Sequence, residues 1–196
     1  MTSALLGAGC SRQEETAELF PVSMEDQQRM DEYKEWQESK AAEDVGYVEK
    51  QLKERWKDED QRYADLGPGL KVGSISSLEY EGRTITTTYT HETRRRALQG
   101  FIALAKTQEE KDKIIAMDEA HPDWHAINVY NAANNSITEN MIDEAVELAY
   151  GKPDKKLVRS DYTIWWYWTG KDSYEKTRDL LVFNANERLL FFELDR

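Results

Sequence analysis

Cysteine, histidine and proline are scarce in this chain: one Cys, three His and four Pro in 196 residues. The single thiol, Cys10, closes no intrachain disulfide, so the fold rests on packing rather than cross-links. Three histidines leave little for a zinc cage. His121 and His125 stand four apart with Asp118, Glu119 and Asp123 nearby, a spacing that lets two imidazoles share a metal on a helix. Pro122 interrupts a regular helix there, and no glutamate sits where HExxH chemistry needs its base. Ordinary turn residues are the expectation, and no metal ligand is assigned. Basic residues are outnumbered 26 to 38, for a net charge of −12. Such a chain is repelled by phosphate backbones. Its one compact basic cluster, Arg94-Arg95-Arg96, lacks interleaved aromatics, so nucleic acid is not an expected partner. No stretch is long and apolar enough to span a bilayer.

Catalytic signatures are missing as well. There is no G-x-S-x-G elbow, no second cysteine and no glycine-rich phosphate loop; Gly67-Pro68-Gly69 reads as a turn. Asp58-Glu59-Asp60 lacks the alternating ligands and central glycine of a calcium loop. Paired carboxylates are abundant in an acidic chain and say little about a reaction. No catalytic or cofactor-binding residue is assigned, and no enzyme activity or cofactor is expected.

What is present is helix-forming sequence followed by strands. Residues 23–69 are dense in Glu, Lys, Gln and Ala. Ser23 or Asp26 is placed to cap this segment, and Met30, Tyr33 and Trp36 recur at three-residue steps. Val45, Val48, Leu52 and Trp56 fall on one helical face, with Gly46 expected to break the segment in two. Residues 70–135 carry a hairpin and helices. Ile85, Thr87 and Tyr89 alternate with Thr84, Thr86 and Thr88, and the threonine face is expected in solvent. Ala97, Phe101, Leu104 and Ala105 mark one helical face. Thr107 with Glu110 forms a capping box before Ile114, Ile115 and Met117, and Pro122 ends that helix. In 136–196, a helix capped by Thr138 is expected to run to Tyr150. Its core face is Ile142, Ala145, Val146 and Ala149, widened by Met141 and Leu148, and Gly151-Lys152-Pro153 stops it. Strands follow at 162–168, 180–183 and 188–194, the last two joined by a turn at 184–187. The order predicts an α+β fold, a helical N-terminal half and a C-terminal helix plus antiparallel sheet with helices on one face.

The 162–168 strand is the most unusual feature. It carries Trp165, Trp166, Tyr167 and Trp168 with almost no polar break, as a strand covered on both faces does. About half of these rings are expected in the core. The other half lies on the opposite face and becomes a candidate binding surface if no helix covers it.

Two patterns resemble known proteins. Leu5, Leu6, Ala8 and Gly9 lead an apolar-then-small run into Cys10, which resembles the bacterial lipobox, where the thiol receives a diacylglycerol. Gly7 stands where leucine is usual, and no basic residue precedes the cysteine. Residues 1–22 are therefore read as a truncated lipoprotein signal, its start assigned too late, and a polar tether. Lipidation at Cys10 would anchor the chain to a membrane, each buried methylene contributing about 0.8 kcal/mol. In lipoproteins of this kind, Ser11 after the cysteine implies outer-membrane sorting. The second pattern covers roughly the last third of the chain. Thr138-Glu139-Asn140-Met141, a short helix, Ala149-Tyr150-Gly151-Lys152-Pro153-Asp154, Trp165-Trp166-Tyr167 and paired strands over 180–194 together resemble the module of BamE-type lipoproteins, the SmpA/OmlA family. The chain departs from that pattern at Ser136-Ile137, where Gly-Met often precedes the threonine, and in its long helical N-terminal half. The resemblance implies a lipid-anchored protein on the periplasmic side of the outer membrane. It would bind another envelope protein, in outer-membrane assembly or maintenance. The alternative expectation is a soluble periplasmic domain that stacks sugar or peptide on the aromatic strand.

Overall fold

The computed structural model describes residues 23–67, 73, 75–80, 83–169 and 176–195. Cys10 and the 1–22 tether lie outside the described residues. The chain divides into two compact units, Met1–Trp36 and Gln37–Arg196. Helix α1 (Met24–Arg55) contributes 24–36 to the first and 37–55 to the second.

In the first unit Ser23 caps the helix, its Oγ accepting from the Asp26 amide at 3.1 Å. Glu25 and Asp26 complement the positive end of the helix dipole. The Gln27 and Gln28 amides donate one turn onward to Asp31 and Glu32, and the Tyr33 and Trp36 rings lie 5.5 Å apart. Met24 and Met30 are exposed.

In the second unit α1 becomes amphipathic. Ala41, Asp44, Val48 and Leu52 are buried, one stripe at helical spacing. Val45, expected on that stripe, is half-buried at its flank. Gly46 does not break the helix: it is exposed, and the turns around it are held down through Asp44 and Val48. The break falls at 56–58, before α2 (Glu59–Leu66). Strands β1 (Ile75–Tyr80) and β2 (Arg83–Thr88) pair antiparallel as the hairpin pattern predicts. The expected facing of Thr84 and Thr86 lies outside the described side chains; Thr88 is exposed.

Helices α3 (His91–Leu104), α4 (Gln108–Ala120), α5 (Ala126–Ala133) and α6 (Asp143–Tyr150) follow. The capping box at α4 is present: the Glu110 amide donates to Thr107 Oγ1 at 3.1 Å, and Glu110 Oε2 accepts from the Thr107 amide at 3.2 Å. Helix α3 buries Leu98, with Ala97, Phe101 and Ala105 packed against the core, but Leu104 is exposed, as are Ile115 and Leu148. Helix α5 had no counterpart in the sequence reading.

The Thr138-capped helix is a correction. Helix α6 starts only at Asp143, with no side-chain cap at Ile142. The residues before it are held by the sheet instead. The Asn140 amide donates to Leu189 O, Leu189 N donates to Met141 O, and Ile142 bridges Arg188. Asn140 takes φ +72°, and Thr138 Oγ1 accepts from Asn131 Nδ2 at 2.8 Å. The helix face of Ala145, Val146 and Ala149 is buried as expected, with Met141 and Ile142. Gly151 ends α6 at φ +91°, a region side chains avoid.

The C-terminal sheet is an antiparallel meander in the order β3 (Lys155–Val158), β4 (Tyr162–Thr169), β5 (Thr177–Asn184), β6 (Leu189–Leu194), with a bulge opposite Val182/Phe183. Edge strand β3 was not anticipated. One face of the sheet presents Trp165, Tyr167, Leu181, Phe183 and Leu189 to a core shared with Leu98, Ile114, Trp124, Val129, Met141 and Val146 of the helical layer. The opposite face carries Tyr162, Trp166, Leu180 and Val182, also buried. There Trp166 Nε1 reaches Asp44 and the Tyr162 hydroxyl reaches Glu49, both on α1. The fold is α+β, but helices cover both sheet faces rather than one.

Candidate functional site

The aromatic strand is an interior spine, not a surface. Trp165, Trp166, Tyr167 and Trp168 are 2%, 1%, 8% and 6% exposed. On the helical side the Trp165 ring packs 4.4 Å from Phe183, with Lys156 Nζ 3.9 Å over its centre. The Tyr167 ring meets Tyr150 edge-on at 4.9 Å, and its hydroxyl donates to Gly151 O at 2.8 Å. Burial, then the nearby Glu147, Tyr150 and Asp154, hold that phenol far above its ordinary pKa. The Tyr150 hydroxyl in turn donates to Asp179. On the α1 side Trp166 and Trp168 stack 6.5 Å apart. The Trp166 indole N–H donates to Asp44 Oδ2 at 3.0 Å, and the Trp168 backbone amide donates to Asp154 at 2.8 Å. The candidate binding surface is thus corrected: alternation did place rings on both faces, and each face is covered.

What the strand reading missed is the charge buried beside it. Asp44 is 1% exposed. It accepts from Arg178 Nε at 3.0 Å and from its terminal nitrogen at 2.8 Å, besides the Trp166 indole, and Lys40 Nζ stands 3.6 Å away. Arg178 also meets Glu193 at 3.1 Å. Burial alone would lower the Arg178 pKa; hydrogen bonds and attraction from Asp44, then Glu193 and Asp195, reverse that and raise it. A second such cluster docks α2. Asp65, fully buried, accepts from Arg55, Gln61 and the Trp56 indole, while Asn184 Nδ2 donates to the carbonyls of Asp65 and Gly67. Burial raises the Asp65 pKa, but these hydrogen bonds outweigh it and the net shift is downward. Asp44 lies one turn before the buried Val48, but nothing in its local sequence set it apart from the many other acidic residues of the segment.

The two histidines of the sequence reading sit in structural roles. The His125 ring stacks on Tyr89 at 3.9 Å, and its Nδ1 accepts from the Ile127 amide, capping α5. Burial, then the charge of Arg94, lowers its pKa. His121 stacks on Trp124 at 3.7 Å. Arg94 ties the turn down by donating to Trp124 O at 2.6 Å and His121 O at 3.0 Å, and pairs with Asp118. Among the described residues no group of three or more His, Cys, Asp or Glu is placed to hold a metal ion, and no helix is long and apolar enough to cross a membrane.

With the rings of β4 enclosed, the sheet presents edge strand β3 to solvent, while the other edge, β6, is half-buried from Phe191 to Leu194. Lys155, Lys156 and Val158 are exposed on β3, Val158 at 71%. No family model, curated protein or solved structure matches this chain.

Proposed function

We propose that this chain is a lipid-anchored bacterial envelope protein. A diacylglycerol on Cys10 would hold it to the periplasmic side of the outer membrane, and it would act by binding another envelope protein. The apolar-then-small run into Cys10 supports the anchor. The helix, the Gly151 stop and the antiparallel meander stand in the order that resembles BamE-type modules. The observation that carries the choice of binding mode is the enclosure of β4. A sugar or peptide stacked on this strand needs an open ring face, and Trp165, Trp166 and Trp168 are at most 6% exposed. Recognition then falls to edges and helix surfaces, the extended contact that proteins make with proteins.

Mass spectrometry of the native protein isolated from membranes tests the anchor, and reversible cross-linking before isolation tests the partner. The expected result is an acylated Cys10 at a processed N-terminus and one reproducibly cross-linked envelope protein. Membrane-isolated protein with an unmodified Cys10 overturns the reading.

A further inference from the structure

We propose that the outer edge of β3 docks an extended, acidic segment of a partner protein, which adds to the meander as a further strand. This rests on the protein-binding reading above and names its surface and the chemistry of its ligand.

The geometry points there first. Strand β3 ends the sheet and, among the described strands, pairs only with β4. The Arg159 amide donates to Tyr162 O at 2.8 Å. Alternation in an antiparallel ladder then directs the backbone groups of Lys155, Leu157 and Arg159 toward β4, and those of Lys156 and Val158 outward. Those outward groups are what strand addition uses.

Charge selects the occupant. Lys152, Lys155, Lys156 and Arg159 are all exposed within eight residues of a chain whose net charge is −12. The one acidic residue among them, Asp154, accepts from the Trp168 amide. The lysine ammonium groups lie over rings of the next strand, Lys156 3.9 Å above Trp165 and Lys155 5.8 Å from Trp166; Lys156 also pairs with Glu147 of α6 at 3.6 Å, so the cations are held at the rim and Lys152, Lys155 and Arg159 carry most of the attraction. Lysines on an edge strand guard against pairing with other chains. That guard is selective by sign. A second copy of β3 brings the same charges and is repelled, whereas an acidic strand is attracted. An anionic membrane would use the cations but leave the outward backbone groups of Lys156 and Val158 unpaired.

The test is amide NMR of the full chain titrated with a hexapeptide of alternating Glu/Asp and Val, against the same peptide with Lys in place of the acids. The acidic peptide is expected to shift the Lys156 and Val158 amides and slow their exchange; the lysine peptide is not. Val158→Pro removes an outward N–H and spares the β3–β4 ladder. It is expected to weaken peptide binding about tenfold while β4 amides stay in place. Replacing Lys155 and Lys156 by Glu together is expected to reverse the preference. Unmoved Lys156 and Val158 amides at about 1 mM peptide, equal binding by Val158→Pro, or equal effects from phosphatidylglycerol vesicles overturn the proposal. An acylated Cys10 with a cross-linked partner but an inert edge overturns this surface alone. An edge that binds peptide on a chain whose membrane-isolated form lacks acylation overturns the anchor alone.

Discussion

Replacing Asp44 by Ala removes the clasp between α1 and the sheet, and the structure sets the size of the loss. Two buried donors are stranded: the Trp166 indole N–H and the Arg178 guanidinium, both 3.0 Å from the lost oxygen. An unsatisfied buried neutral donor costs about 1–3 kcal/mol. Deleting one partner of a buried ion pair costs about 3–5 kcal/mol. Arg178 keeps Glu193 at 3.1 Å, and that carboxylate is 36% exposed and still hydrated, so the second contribution falls at or below its lower bound. Together the loss is about 4 kcal/mol, a large share of a domain's stability. In urea, with m of about 2 kcal/mol/M, the unfolding midpoint read by tryptophan fluorescence drops by about 2 M. Asp44→Asn retains an acceptor for the indole and costs about half as much. Asp44→Leu combined with Arg178→Met removes both charges and is expected to recover part of the loss, leaving about 1–3 kcal/mol for the orphaned indole. An Asp44→Ala loss below about 0.5 kcal/mol, the size of a surface substitution, would refute the reasoning. So would a double variant as unstable as the sum of its parts.

Gly151→Ala is expected to cost about 1–3 kcal/mol through backbone strain alone, because φ is +91° and an added Cβ meets nothing within 4 Å; a neutral substitution by thermal melting contradicts this. Thr107→Ala removes the α4 cap and lowers stability by about 1 kcal/mol, read from the urea midpoint. His125 makes stability pH-dependent. Its pKa is depressed in the fold below its ordinary 6.5, so the unfolded chain takes up the proton first, and stability present above 6.5 is lost as pH falls through the folded value. His125→Asn is expected to flatten that loss below about pH 6.5; an unchanged slope counts against the burial of the ring.

Much of the local structure was legible because it depends on neighbours in sequence. The Thr107–Glu110 box, the Gly151 stop and the alternation of β4 follow from spacing alone, since each is satisfied within a few residues. The same local logic misassigned Thr138. It resembles a cap, but the Asn140 and Met141 backbone groups pair with Leu189, nearly fifty positions away in the chain. Gly46 was expected to break α1, yet an exposed glycine costs a helix only about 1 kcal/mol, less than burying Val48 and Leu52 contributes.

The candidate site divides along the same line. Sequence alone determined that β4 would be aromatic, that its rings would alternate between two faces, and that Cys10 would be the chain's one thiol. Whether those rings met solvent depended on what lay over the second face. That was decided by α1, whose Asp44 is held by Arg178 across 134 positions. An acidic residue among so many others carries no mark of its partner in the sequence. A buried ion pair is visible only when tertiary packing brings its two halves together and excludes water from both.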